Sequence, residues 1–376
     1  MDEEPVFAFH KSLKLGSRPN TTTKADTSVL FTLTHIQDEV VQFASARGLT
    51  NMRPIWKSYF GSDAALVAYH YQDFGNATLL ARNYSDQLDI DALQSHSHEY
   101  RDILALSARQ VLGAVQFSGT PEDPLIFQKE ISSNGNTQTV DVIFPAFPFY
   151  MYTQPKWAAY LLEPLIEHQL SGQYPNKYSM HDLGAHFPNL TGHAAGDDEY
   201  MPVEECGDML IMGLALVNSL LYGSGKQSDA LQMRLNVDQT PMMKEKGVFA
   251  LTMLGASSVS GLDDDSSLAH PGNALAKSWL ASSYRLFKQW TEYLIEYSLE
   301  PHNQLCTDDF AGWLALQTNL ALKGIIGIKA MSELARVMGN ETEVAYYKVS
   351  HMSLRNTARL TWNRTSQTRM PRNGRL

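Results

Sequence analysis

Two helical runs in this chain are apolar on nearly every side, and a helix without a polar face has to lie between layers. One follows Glu205, where Met209, Leu210, Ile211, Met212, Leu216 and Val217 leave no stripe for water. The other follows Asp309 and reads WLALQTNLALKGIIGIKAMSELARVMG. Two-faced helices accompany them. One spans about 273–298, with Leu280, Tyr284, Phe287, Trp290 and Leu294 on one stripe, and another follows Asn340. Inner helices alternating with amphipathic outer ones are what concentric helical layers require.

The first half reads as more mixed. Residues 29–36 and 64–74 have strand-like β-branched and aromatic content, and IQDEVVQFASARG between them suggests a short helix. From His98 the pattern turns helical, with Tyr100, Ile103, Leu104, Ala108, Val111 and Val115 on one face. SSNGNTQT is a turn, TVDVIFPAF is strand-like, and a helix follows Pro155 until Ser171-Gly172. Ser224 to Ala269 shows no sustained period and reads as a long insertion loop or poorly ordered chain.

Chemistry concentrates between His181 and Asp208, HDLGAHFPNLTGHAAGDDEYMPVEECGD, which mixes imidazoles, acids and glycines just ahead of a greasy helix. Active-site loops need such groups at fixed positions on a scaffold. CTDDFAGW, from Cys306 to Trp313, repeats the pattern. Glu204 and Glu205 stand in the first turn of one apolar helix, and Asp308 and Asp309 are placed at the start of the other. Helix N-termini favour carboxylates, so capping accounts for one acid at each start. Two in a row beside a His/Asp loop exceed that need. If both helices open on one rim, a carboxylate from each flanks a substrate, one as general base on water and the other as general acid. That geometry serves amide hydrolysis and inverting glycoside hydrolysis alike. His181 and Asp182, with His193, Asp198, Tyr200 and Trp313, are the candidate substrate contacts.

His181, His186 and His193 form an H-x4-H-x6-H series that matches no zinc pattern, and Asp197, Asp198 and Glu199 lack EF-hand spacing. No metal and no cofactor are expected. Cys206 and Cys306 sit beside the two acid clusters, either bridged across the rim or as two buried thiols. The net charge of −10 argues against a nucleic-acid partner. No apolar run approaches the roughly 20 residues of a membrane span, and the acidic N-terminus is no signal peptide. Six N-x-S/T sequons, at Asn20, Asn76, Asn83, Asn189, Asn340 and Asn363, exceed the roughly two that chance predicts and suggest a glycosylated, secreted parent.

At these residues the chain resembles the fungal secreted glutaminase A family. The resemblance is carried by the His181–Asp208 stretch with its following helix, by PIWKSYF, EYRDILALSARQ and DVIFPAFPFYMY, and by LCTDDFAGWLALQTNLALKGIIGI. It implies a mainly α fold, an (α/α)6 toroid of the six-hairpin glycosidase type preceded by a β-sandwich domain. It also implies extracellular hydrolysis of L-glutamine to L-glutamate and ammonia, and it does not say which residues are catalytic. Against that pattern the toroid is expected to be incomplete. Residues 1–92 are expected to be a remnant of the β-rich domain, without its leader. Residues 93–376 are the toroid, with an atypical insertion at about 224–277 and a shortened, basic C-terminus.

Overall fold

The structure is a computed structural model, and it describes residues 8–13, 28–130, 134–184, 186–222 and 271–368. The Ser224–Ala269 segment lies outside the described residues.

The fold is mainly helical with a small sheet region near the N-terminus. A hairpin of β1 (Val41–Ser45) and β2 (Gly48–Met52) opens it. Helices α1 (Asp63–Gln72), α2 (Phe74–Leu93) and α3 (His98–Ala114) follow, then a second hairpin of β3 (Val115–Gly119) and β4 (Pro124–Gln128). α4 (Val140–Thr153) and α5 (Pro155–Leu170) lead into a long loop carrying β5 (Asn189–Leu190). The remaining helices are α6 (Pro202–Tyr222), α7 (Pro271–Tyr297), α8 (Thr318–Met338) and α9 (Glu341–Thr368). From His98 onward the described residues supply seven helices, where six closed hairpins require twelve.

The apolar-all-round helix is the hub. α6 packs against α4, α5, α7 and α8, and α8 packs in turn against α7 and α9. Leu280, Phe287, Trp290 and Leu294 of α7 are fully buried, so its predicted stripe is the packed face. Among the described residues α6 is also the one helix long and apolar enough to cross a membrane, and here it lies inside the helical core.

Several local readings are corrected. Residues 63–72 form a helix, not a strand, because Ser62 caps it by accepting from the Ala65 N–H. TVDVIFPAF is the start of α4: Val140, Ile143, Phe147 and Tyr150 recur every three to four residues and all are buried. Tertiary burial outweighs the strand preference of its β-branched residues. Conversely, Val41–Ser45 is a strand where a helix was expected, with Val41, Phe43 and Ala44 buried. Residues 29–36 form no strand. On α3, Tyr100 and Ile103 of the expected apolar face are exposed, 46% and 59%.

Strand pairing carries the site loop onto this frame. β5 runs parallel to β1, Gln42 opposite Asn189 and Phe43 opposite Leu190, and so anchors the His181–Asp208 stretch to the N-terminal hairpin. Gly192, at φ +71°, passes so close to His168 that a Cβ would stand 2.1 Å from its ring nitrogen.

Candidate active site

α6 begins at Pro202, and its first turn brings Glu204 and Glu205 into the core, 1% and 0% exposed. Burying adjacent acids requires something to meet them. Lys323 of α8 meets one of them. Its ammonium lies 2.6 Å from Glu204 Oε1 and 3.0 Å from Asp208 Oδ1, and 4.7 Å from the centre of the Phe144 ring. Gly207 makes this approach possible: a Cβ there would lie 2.8 Å from Lys323 Cγ and 3.1 Å from its carbonyl oxygen. The Thr307 N–H donates to Glu204 Oε2 at 2.9 Å. Glu204 is thus satisfied on both oxygens.

Glu205 faces the other way, toward the 181–199 loop. The Val140 N–H donates to the His181 carbonyl at 2.9 Å, which sets Asp141, in the first turn of α4, beside the His181 ring. Asp182 accepts from His181 Nδ1 at 2.7 Å, His193 Nε2 at 3.0 Å, Asn136 Nδ2 at 3.2 Å and the Gly184 N–H at 2.5 Å. Asp198 accepts from the His181 N–H at 2.9 Å and from the Tyr174 hydroxyl. The His181 imidazole is therefore clamped, with Nε2 directed at three carboxylates. Asp141 Oδ1 and Glu199 Oε2 stand 3.6 Å away and Glu205 Oε1 3.9 Å away. Thr307 Oγ1 donates to the other Asp141 oxygen at 2.8 Å. Asp141 Oδ1 and both Glu205 oxygens have no hydrogen-bond partner among the described residues.

Six carboxyls (Asp141, Asp182, Glu199, Glu204, Glu205, Asp208) stand within 4 Å of His181 Nδ1 or Nε2, His193 Nε2 or Lys323 Nζ, with Asp197 and Asp198 at the edge of the same region. Burial pushes the Glu205 carboxyl far above the usual range, and nearby Asp141 and Asp208 add to it. Burial also raises Asp141, partly offset by His181, and Asp208, partly offset by Lys323. For His181 burial works against the charged ring, but the Asp182 hydrogen bond and the surrounding acids prevail and lift it to about 9. Burial would raise Asp182 too, yet the bonds from His181 and His193 hold it well below the carboxylate range. Glu199, 40% exposed at its side chain, is raised by its partial burial.

The acids expected on the second helix sit elsewhere. α8 starts at Thr318, and Asp308 and Asp309 lie nine or more residues ahead of it, exposed, at a 3-10 turn over Asp309–Ala311. Their loop still borders the site. Gln304 Oε1 accepts from the Val203 N–H at 3.1 Å, the Leu305 N–H donates to the Tyr200 carbonyl at 3.1 Å, and Asp309 is close enough to raise Asp141 and Glu199. Tyr200 and Trp313 stack, rings 5.8 Å apart and 8° from parallel, with Trp313 half exposed. His193 braces Asp182, and His186 is exposed. Cys206 and Cys306 are both buried and free.

Sequence reasoning missed Asp141 and Lys323, offered Thr307 only as an alternative N-cap to Asp308, and did not single out Asp208 or assign Glu199 a substrate role. Asp141 gave no signal in spacing, being 40 residues from His181 in a segment misread as a strand. Lys323 did give one: it stands alone as a cation amid the apolar LALKGIIGI.

The profile of the glutaminase A six helical-hairpin domain matches residues 97–228 and 267–371, more than half of the chain. Residues 1–91 match a domain of unknown function, DUF5127. A protein of Arthroderma benhamiae described as a probable glutaminase is 58% identical over 360 residues, 93% of this chain and 41% of its own length. Glutaminase A of Aspergillus oryzae is 40% identical over 342 residues, 91% of this chain and 41% of its own length. The chain thus spans about two fifths of the length of these curated relatives. It belongs to the glutaminase A family of six helical-hairpin proteins.

Proposed function

We propose that this chain hydrolyses the side-chain amide of glutamine or a close relative, at the cluster of Asp141, His181, Glu199 and Glu205. The observation that carries the reading is Glu205, a fully buried carboxyl with neither oxygen hydrogen-bonded among the described residues and three titratable groups around it. Such a group destabilises the fold, and functional sites are where such strain is kept. The relatives named as glutaminases supply the substrate class.

In this reading Glu205 and Asp141 hold the attacking water. Its oxygen bonds to the amide carbonyl carbon, the C–N bond breaks, and the proton released from water passes to the departing nitrogen, which leaves as ammonia. Glu199 and Asp309, nearer solvent, are the groups placed to relay that proton. Asp308 is the capping position of the same turn. Glu204 serves the fold through Lys323 and is not the base. His181 and Asp182 orient the cluster, Asp198 and His193 brace that pair, and Tyr200 and Trp313 stack beside it. The reaction is placed outside the cell, in line with the six sequons, of which Asn189 is exposed.

Ammonia release from glutamine tests the reading. Glu205→Gln should lower it at least about 100-fold, and undiminished turnover removes Glu205 from the chemistry. A second reading, glycoside hydrolysis, has one observation in its favour: the stacked Tyr200–Trp313 pair offers a flat aromatic face of the kind sugars lie on. Assaying a panel of glucosides and mannosides beside glutamine separates the two.

A further inference from the structure

We propose that Asp141, His181 and Glu205 form a binding site for a divalent first-row transition ion of the zinc or manganese class. The site itself stands apart from the amide-hydrolysis reading; only its role in that reaction rests on it.

The geometry speaks for an ion rather than for an ion pair. One ligand atom from each of Asp141, His181 and Glu205 lies within 4.8 Å of the other two. A bare imidazolium would draw one carboxylate into a hydrogen bond of about 2.8 Å. Here the three acid oxygens stand off from His181 Nε2 at 3.6, 3.6 and 3.9 Å. Ligand atoms on one ion with bonds near 2.1 Å are about 3.4 Å apart when tetrahedral. A small inward shift of each group therefore closes the shell.

Independent features point the same way. Glu205 is completely buried, and both its oxygens lack a hydrogen-bond partner among the described residues, as does Asp141 Oδ1. These are the atoms that would ligate. The opposite ring nitrogen of His181 is already engaged by Asp182 at 2.7 Å, the carboxylate–histidine support that metal-ligating imidazoles carry. Six carboxyls against three basic side chains leave the region short of positive charge, and a dication supplies it. Mixed imidazole and carboxylate donors suit Zn²⁺ or Mn²⁺, whereas Ca²⁺ takes oxygen alone. In the amide reaction such an ion would acidify the attacking water and polarise the carbonyl. No sequence pattern announces the site, because its ligands come from α4, a loop and α6.

The test is titration of the full chain with Zn²⁺ and with Mn²⁺ after chelation and dialysis, read by calorimetry and elemental content. About one equivalent should bind, and saturating ion should raise the melting temperature. Glu205→Gln and Asp141→Asn should each weaken binding at least about tenfold. Asp182→Asn, which reaches His181 at its far ring nitrogen and holds His193, Asn136 and the Gly184 N–H besides, should weaken it by about 10–100-fold. Should a variant fail to fold, the wild-type stoichiometry decides alone. A wild type that takes up neither ion, or folded variants that bind as well as it does, overturns the proposal. Ammonia release by the chelated protein separates this inference from the functional reading. Release without ion uptake removes the ion and keeps the hydrolase, and ion uptake without any release does the reverse.

Discussion

Glu204 and Glu205 are chain neighbours, equally buried in the first turn of one helix, and their surroundings treat them in opposite ways. On the α8 side, Glu204 meets Lys323 and the Thr307 amide, and Asp208 one turn on shares the same ammonium. On the loop side, Glu205 meets Asp141 and the outer nitrogen of His181, neither of them hydrogen-bonded to it. Burial is the same, so burial cannot tell a structural acid from a working one. What separates them is whether the surroundings complete the hydrogen bonds. A completed buried pair is a feature of folding, while an uncompleted carboxyl is a place where something else is meant to sit.

Lys323→Met keeps a side chain of similar length and deletes the charge that Glu204 and Asp208 share and that lies over the Phe144 ring. Removing one partner of a buried pair strands the others, so stability should fall by about 3–5 kcal/mol. Denaturant unfolding measures it. Glu205→Gln should show the reverse pattern: stability unchanged or higher, with glutaminase turnover down at least about 100-fold. If Lys323→Met melts like wild type while Glu205→Gln unfolds, the two sides of α6 have been assigned backwards.

Gly207→Ala probes the contact that makes the structural side possible. The added methyl meets Lys323 Cγ at 2.8 Å and its carbonyl oxygen at 3.1 Å, and backbone yields less readily than a flexible stem. Overpacking of this kind should destabilise by about 1–3 kcal/mol. Turnover per folded molecule should change little, because the displaced group is on the Lys323 side. A large loss of turnover without loss of stability would mean that the two sides are mechanically coupled.

The frame was legible in the sequence wherever one physical rule acted alone. The all-round apolar runs predicted α6 and α8, and the amphipathic stripe predicted α7. The acids of the α6 first turn were legible because Pro202 marks where that helix begins. Reading failed where two rules competed. In α4 the β-branched content spoke for a strand and Pro145 and Pro148 against a helix, yet the 3–4 spacing of Ile143, Phe147 and Tyr150 decided the outcome through burial. That misreading hid Asp141. In β1 the reverse happened, and pairing with β2 and β5 made a strand of residues that suit a helix. The loop ahead of α8 was taken for its first turn, since Asp308 and Asp309 make good capping residues. The real start is Thr318, after Gln317 turns to bond the Gln304 carbonyl. Contacts such as Val140 to His181, made across a long loop, leave no trace in local spacing.

A partly buried acid, remote from this chemistry in sequence, gives the smallest and most easily signed effect. Burial, with the charges of Glu167 and Asp123 nearby and Arg47 only partly offsetting them, pushes Glu163 of α5 up to about 7. In the unfolded chain the same carboxyl gives up its proton near its ordinary value of 4.5. Between these values the unfolded state gains by ionising while the folded state holds its proton. Stability is therefore intact below about 4.5, falls as pH rises, and bears the whole loss above about 7. Glu163→Gln keeps the shape and cannot ionise, so its advantage over wild type should grow across that window to about 1–3 kcal/mol. Melting curves of the two proteins from pH 4 to 8 read it directly. A difference that stays constant with pH would show that Glu163 is satisfied by its neighbours, as Glu204 is, and does not share the unmet burial of Glu205.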